Sequence, residues 1–482
     1  MRPAVSPLFA ALAAAAMLSA CATPSPDGGL SPVAASIKAG TGKDIIKITD
    51  EAGAVSAASR VDQLLKRGLN AESAVQIALL NNRALQAAYN DLGISEAQFI
   101  QASLPPNPTI SLSRLAGRGI VEIERQILVN LLALLTLPAR KEIAEARFGQ
   151  AQLKAVEETL RTAHEARRAF IRAAASRQSA AYLTEAGSAA RTVSELFKKL
   201  GETGAVNKLD QAREHVFYAE ITALLARARL EHGADRERLV RALGLWGRQA
   251  GISVPARLPP LQAPKTMPMI ERDAVAKRID LEMARRELDI TAKSLGLVEA
   301  TRFINVVEIA GHQMTERSKK LNAETGEVER EKRSLRGIEI ELQIPIFDFG
   351  QARAAEARET YLRAANRLID RAVIVRSEAR EAYGRAHGAY KIARHYQTQI
   401  LPLRKIIGDE SLLRYNAMIV DILPVLAEAR QRIAANIAAI EARRDYSLAA
   451  ADLRAAVIGG GMAGGGGGGS TSAPPGGGNP EH

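Results

Sequence analysis

Gly337-Ile338-Glu339-Ile340-Glu341-Leu342-Gln343-Ile344-Pro345-Ile346-Phe347 alternates aliphatic with acidic or polar side chains. Successive side chains of a strand point to opposite faces. Ile338, Ile340, Leu342, Ile344 and Ile346 therefore share one face, and Glu339, Glu341 and Gln343 the other. In a soluble sandwich the aliphatic face would need a core. In a membrane β-barrel it meets lipid, and the carboxylates turn to a water-filled lumen. No sizeable all-β region elsewhere in the chain can supply a core, which favours the membrane reading. It makes Ile340, Leu342 and Ile344 lipid-facing and Glu339 and Glu341 lumen-facing candidates.

Only three further segments read as strands: 109–115, 121–128 and 302–310. Four strands cannot close a barrel, and open sheet edges are not tolerated in hydrocarbon. Three protomers would supply twelve strands, an even number within the range of outer-membrane barrels. Between 312 and 336 Lys, Arg and Glu dominate, which predicts an external loop.

Outward from the strands the chain is duplicated. Ala144-Glu145-Ala146-Arg147 follows Pro138, and Ala355-Glu356-Ala357-Arg358 follows Pro345, with 211 residues between Ala144 and Ala355. Upstream, Leu85, Ala88 and Leu92 match Leu281, Ala284 and Leu288 at a spacing of 196; downstream, Ala212-Arg213 matches Ala429-Arg430 at 217. Units of this size are not solenoid repeats. The first runs over 71–250, a Pro-rich connector over 251–268, and the second over 269–458.

Each half predicts a helix (71–103; about 270–298), strands, and very long helices (138–200 and on to about 243; 351–413 and 422–457). Apolar residues make up 47% of the chain and aromatic ones only 4%, which suits long helices packed closely side by side. The net charge of +12 is spread along helical faces with Asp and Glu interleaved, so a solvated surface is expected and nucleic acid is not.

At the N-terminus, Arg2 precedes an apolar run from Leu8 to Leu18, and Leu18-Ser19-Ala20-Cys21 follows. This has the order of a lipoprotein signal peptide over 1–20, with Cys21 as the acylated residue. Cys21 is the only cysteine, so its lipidation leaves no thiol for a disulfide, metal or nucleophile. Residues 21–70 read as an extended tether, and 459–482, mostly Gly, as a disordered tail.

On these residues the chain resembles the TolC family of outer-membrane efflux channels, in its lipid-anchored branch, over roughly Ala71 to Ile458. Ile344-Pro345-Ile346-Phe347-Asp348-Phe349-Gly350 is similar to the family's strand-to-helix signature, through Pro345, Phe347, Asp348 and Gly350. Arg414-Tyr415-Asn416 with Ile422–Arg430 falls where members of the family turn at the periplasmic helix tip. The resemblance implies a homotrimer with a 12-stranded β-barrel in outer-membrane lipid, continued by a 12-helix α-barrel through the periplasm.

The expected function is a passive exit duct of a tripartite efflux system. Its tip would meet a periplasmic adaptor, or membrane fusion protein, bound to an inner-membrane efflux pump. Tip candidates are Gly201, Gly204, Lys208, Tyr415, Met418 and Asp421. Lys208, Pro424 and Ala427 stand where better-known members place acidic side chains, and Met418 where the family has Gly. The first-half signature is degenerate: Leu137-Pro138-Ala139-Arg140 lacks the Phe-Asp-Gly portion.

No catalytic pattern is expected: the seven His show no ligand spacing, and no metal, cofactor or enzyme activity follows from them. The alternative is a structural periplasmic coiled-coil lipoprotein without a channel. It accounts for the helices and the signal peptide but leaves four strands at matched repeat positions without a purpose.

Overall fold

A computed structural model describes residues 23–117, 120–321 and 328–460. The signal peptide, Cys21 and the tail from 461 onward lie outside the described residues.

The chain divides into two compact units, each assembled from three stretches of sequence. The first takes in the sheet and the helices around it: Met1–Lys66, Leu79–Thr159 and Glu271–Glu378. The second comprises Arg67–Ala78, Leu160–Ile270 and Ala379–His482.

The segment expected as an extended tether instead contains two helices, α1 (Leu30–Thr41) and α2 (Glu51–Lys66). Leu30, Val33 and Ile37 recur at helical spacing and are buried, as are Ala57 and Val61. Ahead of α1, Asp27 accepts hydrogen bonds from the Gly29 and Ser31 amides at 3.2 and 2.7 Å. The Ser31 hydroxyl above all, helped by these amides, holds its carboxyl down at about 2.

The single helix expected over 71–103 is broken into α3 (Ala71–Asn81) and α4 (Arg83–Ser103). Asn82 leaves the helical region (φ −68°, ψ 117°), and its side-chain oxygen accepts from the Ala84 and Leu85 amides. After the strands β1 (Thr109–Gly117) and β2 (Ile120–Asn130), Asn130 caps the short α5 (Leu131–Leu135) through the Ala133 amide at 2.7 Å. Then come α6 (Leu137–Glu202, 66 residues) and α7 (Lys208–Leu243). Gly149 and Gly187 lie within α6 without interrupting it.

The second half repeats the plan with α8 (Ile270–Lys277), α9 (Ile279–Ala300), β3 (Val306–Leu321) and β4 (Val328–Gln343). The helix expected over 351–413 is interrupted. It consists of α10 (Gln351–His395), a π-helical turn at Tyr396–Ile400, and α11 (Leu401–Asn416). Pro402 accounts for the turn: it has no N–H to donate, and its ring crowds the carbonyl one turn back. Gln351–Asn416 also spans 66 residues, the same length as α6. The chain then returns through α12 (Ile422–Ile458).

The four strands form one antiparallel sheet in the order β1-β2-β3-β4. Residues 312–336 are not the loop expected. β3 and β4 pair from Val306↔Gln343 out to Leu321↔Val328, leaving only 322–327 between them outside the described residues. The charged stretch extends as strand because the backbone groups of β3 and β4 that face each other pair across the ladder. At its other end β4 stops at Gln343, short of Ile344 and Ile346, because Pro345 cannot donate to a ladder.

Candidate functional site: a two-faced sheet and two helical hairpins

In the register of the sheet, residues directly opposite one another share a face. Val129, Ile309 and Ile340 form one cross-strand row, and Ile110, Ile127, Gly311 and Ile338 another beside it. The opposite face carries Asn130, Glu308 and Glu341 in one row, Leu128, Ala310 and Glu339 in the next, and Glu122, Glu316 and Arg333 further along. Asn130 donates to Glu308 at 3.2 Å, and Glu308 stands opposite Glu341. Sequence reading found Glu339 and Glu341. It missed Glu122, Glu124, Glu308 and Glu316, whose membership of the same face depends on register.

Among the described residues both faces are largely uncovered. Ile338, Ile340 and Leu342 are 76, 68 and 51% exposed, and Ile110 and Leu112 more than 70%. Glu339 and Glu341 on the reverse are exposed too. The outer edges of β1 and β4 pair with nothing among the described residues. Ile344, expected on the aliphatic face of the strand, lies just past its end, where its carbonyl accepts from the Ile346 amide at 2.9 Å.

The signature residues build the turn from β4 into α10. Phe349 and Gly350 both have positive φ, 47° and 71°. Asp348 accepts from the Gly350 amide at 2.9 Å, and the Phe349 amide donates to the Pro345 carbonyl at 2.8 Å. A Cβ on Gly350 would come within 2.3 Å of the Arg302 carbonyl oxygen, so only glycine fits this approach. Phe347 is 98% exposed.

In the second unit, α6 and α7 form one hairpin and α11 and α12 another. Gly201 sits in the last turn of α6, where the Gln211 side chain occupies the space a Cβ would need. Gly204 turns the chain (φ 76°), and Asn207 caps α7 through the Asp210 amide at 2.8 Å. Lys208 is the first residue of α7 and is exposed. In the other hairpin Met418 adopts φ 58°, the left-handed conformation glycine favours, and is 94% exposed. Asp421 precedes α12 without a side-chain cap, and Tyr415 is partly exposed.

The hairpins pack through Phe217, Ile221 and Ala190 against Ile433, and through Leu183, Ala228 and Leu225 against Ile433 and Ile437. A mostly apolar groove of about 330 Å³ runs beside this seam, lined by Ala186, Val193, Phe217, Leu412, Val425 and Ile433.

Twin strand pairs feeding helical stretches of 66 residues, one unbroken and one interrupted at Tyr396–Ile400, that return in two hairpins decide the fold. This is the TolC-type fold.

Similar solved structures include the channel protein CusC, with a TM-score of 0.67 at 16% identity over 80% of this chain and 91% of that one. A membrane protein of Pseudomonas aeruginosa gives 0.68 at 16% identity, covering 83 and 90%. The CmeC outer-membrane channel of Campylobacter jejuni gives 0.65 at 15%, covering 84 and 87%. No family model and no curated relative matches the sequence. No described helix is long and apolar enough to cross a membrane.

Proposed function

We propose that the protein is an outer-membrane efflux duct, a homotrimer whose three sheets close into a 12-stranded barrel with Glu339 and Glu341 toward the lumen and Ile340 and Leu342 toward lipid. The observation that carries this reading is the sheet with aliphatic and acidic faces, both exposed, and two unpaired edges on a TolC-type fold. Such a sheet is costly alone in water or in lipid, and closing it with two copies removes the edges and gives each face its own solvent.

Cys21 would carry the lipid anchor at the outer membrane. The hairpins around Gly201–Gly204 and Met418–Asp421 would form the periplasmic tip, and the groove beside Phe217 would receive the helical hairpin of an adaptor joined to an inner-membrane pump. No enzymatic step is part of this reading. Outer-membrane fractions should contain an SDS-resistant trimer that dissociates on heating, and the purified trimer should conduct ions in a planar bilayer. A monomeric, non-conducting protein in the periplasmic fraction would favour the coiled-coil lipoprotein instead.

A further inference from the structure

Six residues into α7, Glu214 is buried to 1% exposure, and both of its carboxylate oxygens lack a hydrogen-bond partner. The charge that acts on it is Arg430 of α12. Arg430 is engaged elsewhere: its guanidinium lies over the Phe217 ring, 4.6 Å from the centroid, and donates to the Arg213 carbonyl at 3.1 Å. Other charges around this turn are turned away or paired. On α6, Arg191 pairs with Glu195 and both are exposed, as is Lys198. On α11, Arg414 pairs with Glu410, and Asp409 is exposed. On α12, Glu428 pairs with Arg404 through one carboxylate oxygen, while its Oε1 is buried without a partner. His215, next to Glu214, is hydrogen-bonded to Ser194 at 2.7 Å.

We propose that Glu214, Arg430 and Phe217 form a proton-operated clamp between α7 and α12, closed when the Glu214 carboxyl is neutral and released when it ionises. The neutral acid suits a site that offers it neither water nor a donor. An ionised carboxylate has two ways to be stabilised. It can draw Arg430 off Phe217 and the Arg213 carbonyl, or it can admit water, and either movement parts the seam that Phe217 closes against Ile433.

Burial, opposed in part by Arg430, pushes the Glu214 carboxyl up to about 7, which sets where release occurs. The folded acid binds its proton more tightly than the open one. Closure is therefore complete below the ordinary carboxylate range and is lost as pH rises toward 7. The clamp itself does not depend on the duct reading; its effect on the aperture of the tip does.

Hydrogen exchange on the full-length protein in detergent tests it. After division by intrinsic rates, opening of 206–221 and 422–436 should increase about tenfold per pH unit between roughly pH 5 and 7 and level off above. Glu214→Gln, neutral and of the same shape, should hold these segments closed at every pH. Arg430→Met should move the plateau to higher pH. A flat wild-type profile, or the same pH dependence in Glu214→Gln, would overturn the clamp. Conductance recorded over the same pH range separates the two readings. Exchange that follows pH in a non-conducting protein keeps the clamp and removes the duct; flat exchange in a conducting protein does the reverse.

Discussion

Asn82 and Arg278 occupy the same place in the two halves of the chain, 196 residues apart, and each interrupts a helix with the same extended backbone. Their means differ. Asn82 caps its own helix, whereas Arg278, 4% exposed, binds both oxygens of Asp280 at 2.7 and 2.9 Å and also pairs with Glu378. Arg371 pairs with Asp280 from α10, so one break is fastened locally and the other to a long helix.

Removing Arg278 leaves the Asp280 carboxylate buried with half its partners gone. Arg278→Ala should cost about 3–5 kcal/mol, against about 1 kcal/mol for Asn82→Ala. Denaturant titration of the two variants, read by circular dichroism, would show the difference. Equal losses would mean that the network contributes no more than a cap.

The same network sets an acid limit. Burial pushes the Asp280 carboxyl up, but Arg278 and Arg371 outweigh it and hold the group below its ordinary value. An acid so depressed stabilises the fold above the ordinary carboxylate range, and that contribution disappears as pH falls through its folded value. Stability should drop below about pH 4, and Asp280→Asn should flatten the drop while lowering stability at neutral pH. Thermal melts from pH 3 to 7 would follow both effects.

On the sheet, Leu342→Arg should destabilise the assembled protein by about 2–4 kcal/mol if it lies near the bilayer midplane. The adjacent Glu341→Arg should assemble and alter ion selectivity instead. The fraction of trimer surviving in SDS, measured beside reversal potentials, compares them. Equal damage from both would mean that the two faces do not meet different solvents.

At the second tip, Met418 holds a left-handed backbone that costs a non-glycine residue about 1–2 kcal/mol. Met418→Gly should recover about 1 kcal/mol, offset in part by the added freedom of the unfolded chain. In contrast Gly350→Ala should be strongly destabilising, since its Cβ meets the Arg302 carbonyl. Urea midpoints that move the same way in both variants would contradict this account of the turns.

The strands at Thr109 and Ile338, the turn residues Gly204 and Gly350, and the equal long helices could be read from alternation, glycine placement and duplication. Other features needed distance information. The sequence between Met314 and Leu335 lost its period-2 signal because polar residues occupy both faces once the sheet has no core. Arg278 reads as an ordinary surface residue until Asp280, Glu378 and Arg371 converge on it. Glu214 looks like any helical glutamate, and only the seam with α12 reveals it as buried. Pro402 was visible throughout, and its neighbours' strong helical periodicity hid its effect.

The unpaired edges of β1 and β4 bear on inheritance. A protomer whose edge cannot pair does not simply withdraw; it takes two sound partners with it. If three sheets close one barrel, a cell making equal amounts of normal and edge-defective chain would keep only roughly one intact assembly in eight. Such alleles would act dominantly, whereas alleles that prevent the chain from folding at all would be silent in the presence of a normal copy.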